Sequence, residues 1–454
     1  MITELLSPAG SLKNMRYAFA YGADAVYAGQ PRYSLRVRNN EFDHENLKIG
    51  IDEAHALGKK FYVVANIQPH NSKLKNFIRD IEPIIAMQPD ALIMSDPGLI
   101  MMVREHFPDM PIHLSVQANA INWATVRFWK DYGLSRVILS RELALEEIEE
   151  IQKNVPEIEL EVFVHGALCM AYSGRCLLSG YMNKRDANQG ACTNACRWEY
   201  KIHKAQEDAN GDVIPVQQIE PSKQCCSNKV QDDLVQSVLV QRNDEEMFAA
   251  EEDEHGTYFM NSKDLRAIQH VDRLTHMGIA SLKIEGRTKS YFYCARTAQI
   301  YRKAIDDALS GQPFDSSLMD QLEGLANRGY TEGFLRRHVH SDYQNYEDGS
   351  SHFDYQQFCG EIIERNGDYV QVEVKNRFLV GDTLELMTPK GNLVFTLTEM
   401  RDLKGHPIDN AKGSGHIVEI PLSADIDIAY ALLIRHLPHA KTQLKTDALA
   451  YSAD

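Results

Sequence analysis

The sequence has no long apolar run and no segment typical of export. Nowhere does it approach the ~18 consecutive apolar residues of a membrane-spanning helix. Its first residues, Met1-Ile2-Thr3-Glu4, are followed by neither the basic region nor the apolar core of a signal peptide. These absences argue against a membrane-spanning or secreted protein and predict a cytoplasmic one.

Positive charge is also scarce. Lys and Arg total 48 against 64 Asp and Glu, which gives a formal net charge of −16. This negative net charge favours solubility and gives no overall attraction to phosphate polymers, so a nucleic acid would have to bind to a local basic surface. The 454 residues are 44% hydrophobic and 25% charged, which is ordinary for folded chains. This length suits about three domains, or one barrel of ~250 residues with additions.

Cysteines are few, but they are clustered. Without an export signal the thiols are expected to stay reduced, so the cluster is better explained by ligands or redox groups than by disulfides. Its spacing, C-x6-C-x15-C-x3-C, suits an iron–sulfur cluster or a structural zinc, although it matches neither common zinc knuckles nor ferredoxins. Buried or redox-sensitive thiols are the alternative. The clustered cysteines are Cys169, Cys176, Cys192 and Cys196, with Cys225 or Cys226 as a substitute ligand.

Short aliphatic runs alternate with longer amphipathic stretches, which is the pattern of βα units. Several runs are almost wholly apolar, as expected for parallel strands covered by helices on both faces. Eight such strands predict an α/β fold with a TIM-like barrel. The predicted strands cover 4–7, 25–28, 61–65, 91–95, 112–117, 136–139, 160–164 and 281–285, and Gly22, Gly58 and Gly133 are expected to follow helix ends.

The seventh and eighth predicted strands lie too far apart for an ordinary connection, which indicates an insertion. We therefore predict the first part of the barrel over 1–165 and an insertion with the cysteine cluster and an acidic excursion over 166–260. Barrel completion, with a closing helix over 291–309, occupies 261–345. Alternating short strands then predict a small β-barrel domain over 355–436, followed by a tail over 437–454.

Polar residues follow most of the predicted strands. In barrels of this type the chemistry collects at the carboxyl ends of the strands, so these residues predict one polar pocket. Solvated loop residues are the alternative for any one of them. The candidate catalytic residues are His165, Glu161 and Glu285.

Several motifs resemble the signature of the peptidase U32 family. The longest is Glu161-Val-Phe163-Val-His165-Gly166-Ala-Leu-Cys169, followed by Gly174-Arg-Cys176-Leu-Leu-Ser179. The resemblance extends through Leu5-Leu-Ser-Pro-Ala-Gly10, Gly22-Ala-Asp-Ala-Val-Tyr27 and Ser281-Leu-Lys283-Ile-Glu285-Gly-Arg287.

Within this family the chain is most similar to bacterial members that modify tRNA. That resemblance implies hydroxylation of the wobble uridine at carbon five, with prephenate as co-substrate and a 4Fe–4S cluster. Carried over position by position, it makes Cys169, Cys176, Cys192 and Cys196 the cluster ligands. Some relatives recruit a more distant cysteine in place of the fourth, Cys196. No electron or hydroxyl-transfer partner is identified.

A tRNA substrate requires cations for phosphates and aromatic faces for the unstacked bases of the anticodon loop. Prephenate is a dicarboxylate, for which arginine is the natural partner. Each arginine could instead pair with a neighbouring carboxylate. The candidate substrate-binding residues are Arg32, Arg36, Arg38, Gln117, Arg141, Lys283 and Arg287.

Two other functions compete with this interpretation. A U32-type, collagenase-like peptidase would use His165 as the base for Cys169, since His44-Glu45 lacks the second histidine of the zincin motif. A non-catalytic iron–sulfur scaffold would instead assemble a partner enzyme.

Overall fold

A computed structural model describes most of the chain outside the cysteine-rich insertion and the C-terminal end. The described residues are 2–35, 40–168, 175, 201–207, 213–215, 236–241, 247–253, 256–257, 263–327, 329–336 and 356–437.

Strands and helices alternate through the first 167 residues. Helix ends follow local chemistry: the side chains of Ser11, Asp43 and Asp96 cap the helices that follow them, and Gly22 and Gly58 come two residues after helix ends. The elements are β1 (Glu4–Pro8), α1 (Leu12–Ala20), β2 (Ala25–Gly29), α2 (His44–Ala56), β3 (Lys60–Ala65), α3 (Asn71–Leu74), α4 (Phe77–Ala86), β4 (Ala91–Met94), α5 (Pro97–His106), β5 (Ile112–Leu114), α6 (Trp123–Asp131), β6 (Arg136–Ile138), α7 (Leu145–Asn154) and β7 (Glu159–Ala167).

An antiparallel sheet lies in the insertion, and the barrel elements resume after it. The insertion contains β8 (Lys201–Glu207), β9 (Val213–Pro215), β10 (Gln236–Gln241), β11 (Met247–Asp253) and β12 (Gly256–Thr257). The resumed part contains β13 (Asp264–Arg266), α8 (Val271–His276), β14 (Ser281–Ile284), α9 (Tyr291–Leu309), α10 (Ser317–Glu323) and β15 (Tyr330–Thr331).

The parallel strands β1 to β7 pair in sequence, and β14 closes the sheet by pairing with both β7 and β1. This is the predicted TIM-like barrel, which is therefore confirmed. The core is continuous around it, since the strands are almost wholly buried on both faces. β13 extends the sheet by pairing antiparallel with the last residues of β7.

The C-terminal domain is antiparallel, which confirms a separate β-domain. Its main sheet has the order β20-β19-β23-β16-β17-β22, beside a β18–β21 pair. Its strands are β16 (Gln356–Asn366), β17 (Tyr369–Val374), β18 (Phe378–Leu379), β19 (Thr383–Thr388), β20 (Gly391–Thr396), β21 (Asn410–Ala411), β22 (Ile417–Pro421) and β23 (Leu432–His436).

Helix α9 joins this domain to the barrel. Phe292 stacks on Phe358 of β16 with ring centroids 4.8 Å apart, and the buried Arg296 guanidinium lies 2.8 Å from the Glu385 carboxylate of β19. From the barrel side, the Tyr21 hydroxyl donates to the Met387 carbonyl at 2.9 Å. The two domains therefore share a packed interface.

Among the described helices, none has the length and apolar character needed to cross a bilayer.

Candidate active site at the barrel mouth

A buried ionic network fills the barrel interior near the amino ends of the strands. Arg136, which begins β6, lies 2.6 Å from Glu4 of β1 and 3.1 Å from Glu161 of β7. Lys283 of β14 reaches the other oxygen of Glu161 at 2.7 Å, and the Tyr62 hydroxyl donates to Glu4 at 2.8 Å. Two buried carboxylates thus face two buried cations, which offsets the cost of removing each from water.

The network controls the protonation of its members. Burial alone would raise the pKa of the Glu4 carboxyl, but Arg136 outweighs this and holds that pKa below its usual value. Burial lowers the pKa of the Lys283 ammonium, while Glu161 acts in the opposite direction. Glu161 therefore lies in an ion-paired interior position, although the sequence suggested it as a catalytic candidate.

Above the network, cations and aromatic rings alternate toward the mouth of the barrel. The Arg141 guanidinium lies 3.9 Å from the centre of the Phe163 ring, and the Lys283 ammonium lies 5.4 Å from the same ring. Lys283 also lies 4.3 Å from the centre of the Tyr27 ring, and Arg287 lies 5.9 Å from it. We call these five side chains the cation–aromatic row; three of them were predicted to bind substrate.

Backbone contacts fix both ends of the row. Arg141 donates to the Ala167 carbonyl at 2.6 Å, and the Ala167 amide donates to the Glu285 carboxylate at 3.4 Å. Arg287 donates to the Leu35 carbonyl at 2.6 Å. A Cβ atom at Gly29 would lie 2.6 Å from the Arg287 guanidinium, so glycine leaves the room that this arginine occupies. Glu285 thus lies at the mouth beside the predicted cations.

His165 does not share the inward face of Glu161 and Phe163, although it lies two residues after Phe163 in β7. The pairing of β7 with β14 shifts register there, from Phe163 opposite Lys283 to His165 opposite Ile284. The buried imidazole packs against the rings of Tyr293, Tyr301 and Tyr330, with centroids 5.5–5.8 Å apart. The bulge turns His165 away from the barrel interior that Glu161 and Phe163 face.

Burial is the main reason that the pKa of His165 falls to about 3, and the charge of Lys289 adds to the effect. Such an imidazole is neutral near pH 7, and its weak basicity makes it a poor general base for a thiol. This argues against the peptidase hypothesis. Cys169, the thiol of that hypothesis, lies outside the described residues.

Gly166 makes this arrangement possible. It has a φ of +106°, and a Cβ there would lie 2.5 Å from the Glu285 carbonyl oxygen. Only glycine adopts this conformation without strain at such a close approach. Gly166 therefore lets the ends of β7 and β14 lie side by side at the mouth.

Other predicted residues lie apart from the row. Arg32 is 65% exposed and pairs with Asp80 at 2.7 Å. The Gln117 amide oxygen accepts from the Asn66 side chain at 2.9 Å, in a polar group at the exits of β3 and β5. The residues Arg36, Arg38, Cys169, Cys176, Cys192 and Cys196 lie outside the described residues, so their assignments stay predictions.

The alternation of side chains along β2 and β7 could have identified Tyr27 and Phe163, the aromatic members of the row. Phe163 is two residues from Glu161 and so shares its face of β7, while Tyr27 is the central residue of β2. Aromatic residues in apolar strands usually belong to the core, so their type alone does not indicate a site.

The buried neutral state of His165 has a measurable consequence. In the unfolded chain a histidine has a pKa of about 6.5, so below that pH the unfolded state binds a proton that the folded state does not bind. The neutral His165 therefore stabilises the fold fully above pH 6.5, and this stabilisation declines as the pH falls toward 3. We expect His165→Gln to remove about 2 kcal/mol of the stability difference between pH 7 and pH 5, measured by urea unfolding at both values.

The matched control is His106→Gln, because this imidazole is exposed. It measures the effect of the same substitution at a surface position. An equal pH dependence in wild type and His165→Gln would contradict a buried neutral imidazole.

Among the described residues, no three or more His, Cys, Asp or Glu side chains group as a metal site. The two cysteines that the structure describes, Cys294 and Cys359, are both buried, and burial raises the pKa of each thiol to about 12. Neither suits a thiolate ligand, so any cluster must use cysteines outside the described residues.

Family models match nearly the whole chain. The model of peptidase family U32 matches residues 10–345, and that of the peptidase family U32 C-terminal domain matches residues 354–435. The tRNA hydroxylation protein P of Escherichia coli is 67% identical over 452 residues, covering 96% of this chain and 99% of the relative. The protein of the same name from Haemophilus influenzae is 65% identical over 451 residues, covering 97% of each.

A third relative is the 23S rRNA 5-hydroxycytidine C2501 synthase of Escherichia coli, 27% identical over 402 residues, which cover 85% of this chain and 52% of that protein. The two family models and the two near-full-length relatives confirm the resemblance that the motifs predicted. The chain belongs to peptidase family U32.

Proposed function

We propose that this chain is a tRNA hydroxylase that acts in the cytoplasm. The observation that carries the proposal is its 67% and 65% identity, over almost the full length of both chains, to two proteins named for tRNA hydroxylation. The barrel mouth agrees with this activity, because Arg141 and Arg287 follow strand ends there and lie beside the buried rings of Phe163 and Tyr27.

The finer proposal is hydroxylation of the wobble uridine at carbon five. The relative named for 5-hydroxycytidine synthesis in rRNA supports a pyrimidine carbon five as the reacting atom. An enzyme that works on a base atom must take the base out of its stack. In an anticodon loop the wobble base is already unpaired, so it can enter the barrel mouth at a modest cost.

Prephenate is proposed as the co-substrate, and the cation–aromatic row is its proposed site. The row holds three cations, and a dicarboxylate needs at least two charge-assisted contacts. The side chains are preorganised, since Arg141 and Arg287 are fixed by backbone carbonyls and Lys283 by Glu161. Glu285, beside Arg141 across Ala167, would hold or release a proton at the mouth.

A 4Fe–4S cluster is proposed on Cys169, Cys176, Cys192 and Cys196. Four thiolates are the usual ligand set for such a cluster, and the first of them, Cys169, comes two residues after β7, whose exit forms part of the mouth. When bound, the cluster would supply electron transfer or polarise an oxygen group. The residues of this chain would bind the substrate, orient it and exclude water.

The decisive experiment incubates purified, cluster-loaded protein with unmodified tRNA, with and without prephenate, under aerobic and anaerobic conditions. We expect mass spectrometry of the digested nucleosides to detect 5-hydroxyuridine only when prephenate is present. If no condition gives product while the protein restores hydroxylation in an extract, the non-catalytic scaffold is supported instead. Peptide cleavage that survives iron removal would support the peptidase.

Arg287→Gln should raise the KM for prephenate by about 10- to 100-fold, because one charge-assisted hydrogen bond contributes roughly 1.5–3 kcal/mol. Steady-state kinetics at varied prephenate would measure it. The matched control is Arg32→Gln, since this arginine is exposed and paired with Asp80. The two variants lose the same charge, so equal changes in KM would contradict the proposed prephenate site.

A further inference from the structure

A cavity of about 250 Å³ lies between helix α9 and the C-terminal domain. It opens between Lys289, Ser290, Phe292 and Tyr293 at the start of α9 and Gln357, Phe358 and Asn376 of the C-terminal domain, and we call it the interdomain pocket. Its volume is just below the ~300–1,000 Å³ of pockets that hold drug-sized ligands. It therefore suits one planar ring and a sugar.

The walls of the interdomain pocket are aromatic. Phe292 and Phe358 line it and stack on each other with an interplanar angle of 8°, so one face of each ring is already covered. Tyr293 provides a third ring, which is held in place by His165 on one side and by its hydroxyl, which donates to the Glu285 carbonyl at 2.7 Å. Rigid aromatic faces of this kind stack unpaired bases without regard to their sequence.

Polar groups in the pocket match the remainder of a nucleotide. The Gln357 carboxamide has no hydrogen-bond partner within the described part of the chain. The Asn376 amide nitrogen donates to the Phe358 carbonyl at 2.8 Å, so its amide oxygen is the group that can accept from a ligand. Carboxamides read the donors and acceptors of a base edge. The Lys289 ammonium lies 5.5 Å from the centre of the Tyr293 ring, and no carboxylate of the described residues forms an ion pair with it.

The pocket adjoins the barrel mouth. Lys289 and Tyr293 follow β14 within a few residues, and the Tyr293 hydroxyl is bonded to Glu285, the first residue after that strand. Tyr293 therefore lines the pocket and also contacts Glu285, which lies at the mouth.

We propose that the interdomain pocket binds one unstacked nucleotide of an RNA strand, next to the nucleotide held at the mouth. The base stacks on Phe358 and Tyr293, and Lys289 receives the phosphate. The identity of the RNA as tRNA rests on the proposed function. Phosphate recognition by a cation that the acidic chain leaves without a carboxylate partner is the charge complementarity behind this assignment.

The first test measures binding of an anticodon stem-loop RNA to the full chain over a range of salt concentrations. Lys289→Gln should reduce the slope of log K against log salt by about 0.7–0.9, the loss of one phosphate contact. Lys390→Gln is the matched control, because that lysine is 76% exposed, pairs with Asp427 and does not line the interdomain pocket. A slope for Lys289→Gln equal to that of wild type overturns the proposal.

The second test places a photoreactive 4-thiouridine on either side of the wobble position. We expect one of the two to crosslink to a peptide containing Phe358 or Tyr293, and expect Gln357→Glu, which keeps the shape but adds negative charge, to suppress the crosslink. Crosslinks confined to other peptides overturn the proposal. Displacement of the RNA by free uridine monophosphate at equal concentration would assign the pocket to a free nucleotide and also overturn it.

These tests separate the pocket from the proposed reaction. A crosslink in the pocket without hydroxylated product leaves the pocket standing and removes the proposed function. Hydroxylated product together with an unchanged salt slope for Lys289→Gln leaves the function standing and removes the pocket.

Discussion

Arg136→Met is expected to lower the free energy of unfolding by about 3–5 kcal/mol, the cost of leaving buried charges without their partner. The Arg136 side chain is 3% exposed and is shared by Glu4 and Glu161. Methionine fills a similar volume but offers neither charge nor hydrogen bonds. The midpoint of urea unfolding at neutral pH measures the change.

Arg16→Met is the matched control. Its guanidinium also binds a carboxylate at two points, Glu53 at 2.6 and 2.8 Å, but this pair lies at the surface. An exposed pair contributes at most about 1 kcal/mol. Equal losses in the two variants would contradict an interior held together by charge pairing.

Cys169→Ala is expected to abolish both the bound iron and the hydroxylated product, because a 4Fe–4S cluster that loses a thiolate ligand loses its anchor. Iron and sulfide analysis of anaerobically purified protein, together with its visible absorption, measures the first effect. Stoichiometric zinc in place of iron would overturn the cluster assignment.

Cys294→Ala is the matched control for cysteine loss. This thiol is buried in α9 and donates to the Pro8 carbonyl at 3.4 Å, so its removal should leave the iron content unchanged. A comparison of Cys196→Ala with Cys225→Ala and Cys226→Ala then identifies the fourth ligand. Whichever variant loses iron marks the cysteine that completes the set.

The barrel was predictable because its signals are local. Each strand is a short apolar run followed by a polar exit, and the observed strands begin and end within about three residues of the predicted bounds, as for β3 and β14. The closing helix α9 covers the predicted residues for the same reason: its apolar face repeats at helical spacing, and Ser290 caps its start.

The candidate site was only partly predictable, because its chemistry depends on partners far apart in sequence. Arg32 and Arg141 look alike in the sequence, yet Asp80 pairs with the first and Phe163 packs against the second. The register shift that turns His165 away from the barrel interior depends on how β7 pairs with β14, which the residue pattern of β7 does not predict. The interdomain pocket depends on the contact between Phe292 of α9 and Phe358 of the C-terminal domain, which are far apart in sequence.

Helix α9 limits how the chain can be divided or recombined. Its inner face belongs to the barrel, while Arg296 depends on Glu385 of the other domain for its charge partner. A fragment that stops after the barrel would leave the Arg296 guanidinium without its carboxylate partner and would expose the Phe292 ring to water. A chimera with a foreign C-terminal module would therefore have to supply an acidic residue and an aromatic surface at matching positions.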